Sequence, residues 1–162
     1  MTSSSITIRP GRADDAPLVF EMLRATAREQ GNEHELCVDL AAVREDGFGT
    51  APRFQTLIAE SGGRAAGLAV YFFNYSTWIS RNGLYLEDLF VRPEFRRQGV
   101  AKALMARLQA IAADHECGRI QWVVLRDNAA AVKLYESLGA RALPEWQLMI
   151  LRRRSATGDF VV

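Results

Sequence analysis

A strand that empties through a glycine turn into a long helix constrains this chain more than any other stretch. Leu84 to Val91 has the length and apolar content of a strand, and Arg92-Pro93-Glu94-Phe95 breaks it. Arg96-Arg97-Gln98-Gly99-Val100-Ala101-Lys102 then opens a helix with Val100, Leu104, Leu108, Ile111 and Ala112 on one side. That apolar side must be buried against another layer, which makes the chain a sheet with helices packed on it. A helix start carries N–H groups with no carbonyl one turn back and a partial positive charge, so the junction is suited to hold phosphate. Gly99 lets the backbone approach closely, the small Ala101 leaves room for an anion, and Arg96 and Arg97 add charge. The Gly-Lys-Ser/Thr ending of a P-loop is missing, and G-x-G-x-x-G does not occur. The alternative is a surface helix with a basic first turn, which the helix dipole mildly disfavours.

The remaining elements follow from periodicity and turn chemistry. Ile6 to Pro10 alternates and is β-branched, and Asp14 or Asp15 precedes the helical spacing Leu18, Met22, Leu23. After the Gln30-Gly31-Asn32 break, a short helical piece is expected near Asp39 to Arg44, with Asp46-Gly47-Phe48-Gly49 as a loop. Phe54 to Glu60 and Ala65 to Asn74 flank Ser61-Gly62-Gly63-Arg64, the signal of a β-hairpin. A turn near Arg81-Asn82-Gly83 leads into the strand that ends at Val91. Arg119 to Leu125 reads as a strand, Asp127-Asn128 offers an N-cap, Ala129 to Leu138 is helical and Gly139 stops it. Glu145 to Leu151 reads as a last strand. The order βα(α)βββαβαβ predicts a mixed sheet in one α/β (α+β) domain over residues 1–154, with 155–162 as a loosely held tail.

Composition removes several classes. Lys+Arg at 20 against Asp+Glu at 19 gives a net charge of +1, so there is no general field to gather nucleic acid. The Arg152-Arg153-Arg154 run is short, has no interleaved aromatics, and reads as a solvated strand end. The longest apolar stretch, Gly67 to Phe73, is far short of the roughly 20 residues that cross a bilayer, so no membrane partner is expected. Met1 to Ser5 has neither the basic residues nor the apolar block of a secretion signal, and the default location is cytoplasmic. Cys37 and Cys117, with His34 and His115, make no metal-ligand pattern, and no metal is expected. No G-x-S-x-G elbow is present, and neither cysteine has a recognisable base partner.

Arg96-x-x-Gly99-x-Ala101, placed after a strand and before a helix, resembles the acyl-CoA pyrophosphate loop of the GCN5-related N-acetyltransferase (GNAT) superfamily. Asn128-x-x-Ala131-x-x-Leu134-Tyr135-x-x-x-Gly139-Ala140 is similar to that family's second CoA-contacting segment. Glu45 to Gly49, Tyr71 to Ile79 and Tyr85 to Val91 resemble the spermidine/spermine and thialysine acetyltransferases, so the likeness spans nearly the whole chain. It implies the GNAT fold, a twisted mixed sheet flanked by helices whose two central strands splay. The pantetheine arm of acetyl-CoA would lie in the gap and pair with backbone at Leu89, Phe90 and Val91. Arg96, Arg97, Gln98, Gly99, Val100, Ala101 and Lys102 would hold the diphosphate, with Asn128 and Ala131 contributing from the second segment. The family commonly forms homodimers.

Acyl transfer from a thioester to an amine must remove a proton, because an amine with a pKa near 10.4 is almost wholly charged at pH 7. An ordinary Glu is too weak by roughly six pH units to hold that proton, so Glu87 is expected to relay it through water. Glu87 and Asp88 could also be a solvated strand end, and since adjacent strand residues face opposite ways, at most one points at a given site. Tyr135 shares a helical face with Ala131, Leu134 and Leu138, the pattern of a core tyrosine with its hydroxyl at the rim. Its position matches the superfamily's general acid, which would protonate the leaving thiolate. Ser76-Thr77 stand where the polyamine enzymes carry an acidic residue that meets a cationic amine. Glu29 and Gln30 remain as acceptor-binding candidates, together with Glu87 and Asp88. Arg126 replaces an acidic residue of those relatives and either meets a substrate carboxylate or is an exposed loop arginine. Trp78 and Trp122 either wall the acceptor pocket by cation–π contact or fill the core. The expected activity is acetyl-CoA-dependent acetylation of a small diamine, polyamine or lysine-like amino acid. A protein or peptide acceptor and a non-catalytic CoA-binding sensor are the alternatives.

Overall fold

A computed structural model describes residues 5–153 and 160–161. The chain divides into two compact units, residues 1–123 and 124–162. The first holds five strands: β1 (Ile6–Pro10), β2 (Gln55–Ser61), β3 (Arg64–Ser76), β4 (Arg81–Val91) and β5 (Arg119–Gln121). They form one mixed sheet in the order β1-β2-β3-β4-β5, antiparallel except for the parallel pair β4 and β5. Helices α1 (Ala16–Glu29) and α2 (Leu40–Phe48) connect β1 to β2, and α3 (Val100–Asp114) connects β4 to β5. Gly62 and Gly63, with φ of 57° and 74°, make the two-residue turn between β2 and β3 that the strand twist favours.

The apolar alternation of the strands sorts side chains onto two faces. Ile58, Leu68, Val70 and Phe90 pack with Ala16, Val19, Met22, Leu23 and Val43 of α1 and α2. On α3, Val100, Leu104 and Leu108 are fully or almost fully buried. A Cβ on Gly67 would lie 3.1 Å from Val100 and 3.3 Å from Leu104, so the absent side chain at Gly67 lets α3 approach the sheet. Arg9 ties β1 to its surroundings, with Nη1 donating to Asp15 at 2.6 Å and Nε to Glu60 at 2.7 Å. The Arg9 hydrogen bonds hold the Asp15 carboxyl below its usual range.

Two bulges break the regular pairing. On β3 the register shifts at Ala66, opposite Ala59 and Glu60 of β2. On β4, Val70 faces Asp88 while the next β3 residue, Tyr71, faces Leu86, so Glu87 is the extra residue. The β4 bulge exchanges the two faces of the strand: Asp88 and Phe90 share a face with Val70, whereas Leu84 and Leu86 lie with Tyr71 on the other.

The second unit contains α4 (Ala129–Ser137) and a two-stranded ribbon of β6 (Arg152–Arg153) and β7 (Phe160–Val161). Asn128 caps α4, its Oδ1 accepting from the Ala131 N–H at 3.2 Å. Gly139, at φ 86°, ends the helix in a Schellman turn in which Ala140 N–H donates to the Tyr135 carbonyl and Gly139 N–H to that of Glu136.

Three expectations are corrected. Asp46-Gly47-Phe48 is not a loop, because α2 continues to Phe48 and Gly49 follows it as the capping residue. The strand expected to reach Leu125 stops at Gln121. Glu145 to Leu151 is not a strand, and Leu148 to Leu151 are all exposed: the apolar pattern is present, but no strand edge pairs with it among the described residues. β5 is an edge of the described sheet. Arg154 and most of the expected tail lie outside the described residues.

Candidate active site

The turn into α3 is built from two left-handed residues. Arg97 has φ 60° and Gly99 has φ 88°, and Gly99 is the residue from which α3 starts. Such alternation turns successive N–H groups toward one side, adding to the free amides of the first helical turn. Gln98 braces the turn by donating through Nε2 to the Glu94 carbonyl at 2.7 Å. A Cβ at Gly99 would meet nothing closer than Ile6 at 3.8 Å, so its constraint is the dihedral angle and not space. Among the described residues Arg97 and Lys102 are exposed and form no ion pair. Arg96 is engaged: its Nε donates to the Val91 carbonyl at 3.0 Å, and its Nη2 lies 2.6 Å from both carboxylate oxygens of Glu29. Two candidates assigned to different ligands by the sequence are thus joined to each other.

Above the turn, β4 offers a free edge. Pairing with β5 covers only Gly83 to Tyr85, and from Leu86 to Val91 no strand lies on that side among the described residues. The backbone of Leu89, Phe90 and Val91 is therefore available to an extended ligand, except where the Val91 carbonyl accepts from Arg96.

The bulge gives the two adjacent carboxylates different surroundings. Glu87, the extra residue, is exposed. Asp88 is largely buried on the α1 face, and desolvation, with a smaller contribution from the Glu87 charge, pushes its carboxyl up to about 6. Among the described residues no hydrogen bond or ion pair engages it. On the same face Phe72 and Tyr85, opposite each other in the register, stack at 5.1 Å between ring centroids. An acid on the same sheet face as a stacked aromatic pair suits a cationic amine with a methylene chain. Phe72 and Tyr85 are absent from the sequence-derived candidates, because regular alternation places Tyr85 and Asp88 on opposite faces. Desolvation, with a smaller contribution from the Glu87 charge, raises the Tyr85 phenol as it raises Asp88.

Other candidates are placed as follows. Trp78 is 89% exposed at the tip of the β3–β4 hairpin, so it fills no core. Trp122 is half-buried just beyond β5, Arg126 is exposed on the connection to α4, and Gln30 caps the exposed end of α1. In the second unit, the Asn128 side chain and the Ala131 N–H are bonded to one another as the α4 cap. Burial raises the Tyr135 phenol above its usual value, which keeps it protonated at neutral pH. No cluster of three potential metal ligands is found among the described residues. No described helix is long and apolar enough to cross a membrane.

The architecture has counterparts. The family model of the acetyltransferase (GNAT) family matches residues 19–140. A thialysine N-epsilon-acetyltransferase of Sus scrofa is 36% identical over 150 residues, covering 88% of each chain. An L-ornithine N5-acetyltransferase of Arabidopsis thaliana is 36% identical over 94 residues, 58% of this chain and 39% of that one. An aminoglycoside N-acetyltransferase solved in complex with CoA superposes with a TM-score of 0.72 at 24% identity, over 93% of this chain and 96% of that one. With the sheet, the turn into α3 and these matches in agreement, the chain belongs to the acetyltransferase (GNAT) family and is an N-acetyltransferase.

Proposed function

We propose that the chain transfers the acetyl group of acetyl-CoA to the side-chain amine of a small, lysine-like amino acid, diamines and polyamines being the wider acceptor class. The observation that carries this reading is the Asp88 carboxyl, pushed up to about 6 beside the stacked Phe72 and Tyr85. Relatives named for thialysine and L-ornithine, amino acids with a primary side-chain amine, support the acceptor class. Arg126 is a candidate partner for the acceptor's carboxylate.

Acetyl-CoA supplies the activated acyl group, and the chain's residues do the rest. The turn amides of 98–102, with Arg97 and Lys102, bind the diphosphate, and the free β4 edge at Leu89 to Val91 aligns the pantetheine arm. The acceptor arrives as an ammonium, whose charge meets Asp88 and the aromatic faces. An acid near 6 is a stronger base than an ordinary carboxylate, and the gap to an amine near 10.4 narrows to about four pH units. Desolvation of the amine narrows it further. Asp88 takes the proton and Glu87, at the solvent edge of the bulge, passes it to water. The neutral nitrogen bonds to the thioester carbon, the C–S bond breaks, the Tyr135 phenol gives its proton to the departing thiolate, and the second proton shed by the nitrogen as it becomes an amide restores the phenol through solvent.

A thiol-release screen with acetyl-CoA over thialysine, L-ornithine, lysine, diamines, polyamines and lysine-containing peptides tests the reading. The highest kcat/KM is expected for the free amino acids. Preference for peptides overturns the acceptor class, and CoA binding without thiol release for any amine overturns turnover itself. The family resemblance also implies a homodimer, for which sedimentation at twice the chain mass is the expected result.

A further inference from the structure

Two arginines between β4 and α3 reach back to α1. Nη2 of Arg92 lies 2.9 and 3.1 Å from the carboxylate oxygens of Glu21, and Nη2 of Arg96 lies 2.6 Å from each oxygen of Glu29. The second pair sits at the turn itself, where Arg97 and Gly99 adopt positive φ. With Nε of Arg96 donating to the Val91 carbonyl, the guanidinium is fixed at two of its nitrogens, and Nη1 is left for another acceptor.

We propose that Glu29 is a positioning residue for the acyl carrier's diphosphate: it holds the Arg96 guanidinium and the following turn against α1, and it does not meet the amine. This rests on the reading of 96–102 as the diphosphate site. A free arginine must be ordered when it binds an anion, whereas one already held by Glu29 and Val91 loses little further freedom. The opposing effect is repulsion between the Glu29 carboxylate and the bound anion. Both partners of the pair are close to half exposed, so solvent screens that repulsion and the ordering effect wins. Glu21 provides the contrast: it makes the same kind of pair between the same segments, but at Arg92, which precedes the turn and whose N–H is already committed to the Ala66 carbonyl.

The test is calorimetric titration of CoA into the full chain, with steady-state kinetics alongside. Glu29→Ala is expected to weaken CoA binding about threefold to tenfold, Glu29→Gln less, and Glu21→Ala less than twofold. The KM for the amine and kcat at saturating acetyl-CoA stay within about twofold. On an Arg96→Ala background, Glu29→Ala adds nothing, because Glu29 acts through Arg96. Unchanged or tighter CoA binding by Glu29→Ala overturns the proposal. So does a raised amine KM at constant CoA affinity, which assigns Glu29 to the acceptor. Gly99→Val separates the underlying reading: full CoA affinity in that variant removes the diphosphate site and this proposal with it. Lost affinity there with none lost in Glu29→Ala removes the role of Glu29 alone.

Discussion

The turn into α3 departs from regular backbone by dihedral angle, with Arg97 and Gly99 in the left-handed region, while the bulge in β4 departs by register, with Glu87 unmatched on β3. The first is a local device. It exposes amide groups through two left-handed residues, only one of which, Gly99, is a glycine. The second is a device of pairing, which swaps the faces of a strand and carries a carboxylate from one side of the sheet to the other. In the proposed function, one serves an anion with backbone dipoles, and the other serves a cation with a desolvated side chain. Their energetics differ in kind: the turn holds Arg97 at a positive φ that disfavours a side chain, whereas Asp88 is held in a place that disfavours its charge.

That contrast is sharpest in activity. Tyr135→Phe is expected to lower kcat by about 10²–10⁴ with CoA affinity unchanged, and single-turnover kinetics read the chemical step directly. Asp88→Asn is expected to lower kcat/KM for the amine by about 10²-fold at pH 7, again with CoA binding intact. Gly99→Val is expected to do the reverse: it forces a β-branched residue to φ near 88° and weakens CoA binding by about tenfold or more in calorimetry, while Asp88 keeps its raised pKa. Equal effects of the last two variants on CoA affinity would break the division of labour.

The stability effects run opposite to the activity effects. A displacement of Asp88 from 3.8 to about 6 means that the folded state binds its proton more tightly than the unfolded chain. Its contribution to stability therefore falls as pH rises from about 4 to about 6, and the full cost, about 1–3 kcal/mol, is present above that. Asp88→Asn should accordingly raise the stability at pH 8 by that amount while removing activity, as denaturant unfolding would record. Asp15 has the opposite sign. Its carboxyl is depressed by Arg9, so its contribution is present above 3.8 and is lost as pH falls through its lowered value. Asp15→Asn is expected to cost about 1–2 kcal/mol at pH 7 with little effect on rate.

The same distinction decides what a reader of the sequence can see. Gly99, Gly139 and the Gly62-Gly63 pair mark positive φ in the residues themselves, and the faces of α1 and α3 are written in their apolar spacing. The end of α4 at Gly139 and the cap at Asn128 are equally local and equally legible. Glu87 carries no mark of a bulge, since its register depends on β3, and with it Phe72, Tyr85 and Asp88 are brought to one face invisibly. Glu145 to Leu151 fails for a related reason. Its strand propensity is real, but a strand needs a partner edge, and propensity does not say whether one is in reach. The Glu29–Arg96 pair is hidden for the same cause, because the two residues are neighbours in space and distant in the chain.

The central claim is that the bulge turns Asp88 into the group that receives the amine's proton. The pH profile of kcat/KM for the wild-type chain, compared with Asp88→Asn, tests it most directly. The account predicts a wild-type profile that falls off below about pH 6 more steeply than amine protonation alone requires, and a variant whose profile follows amine protonation only. An inflection near pH 6 that persists in Asp88→Asn would contradict it.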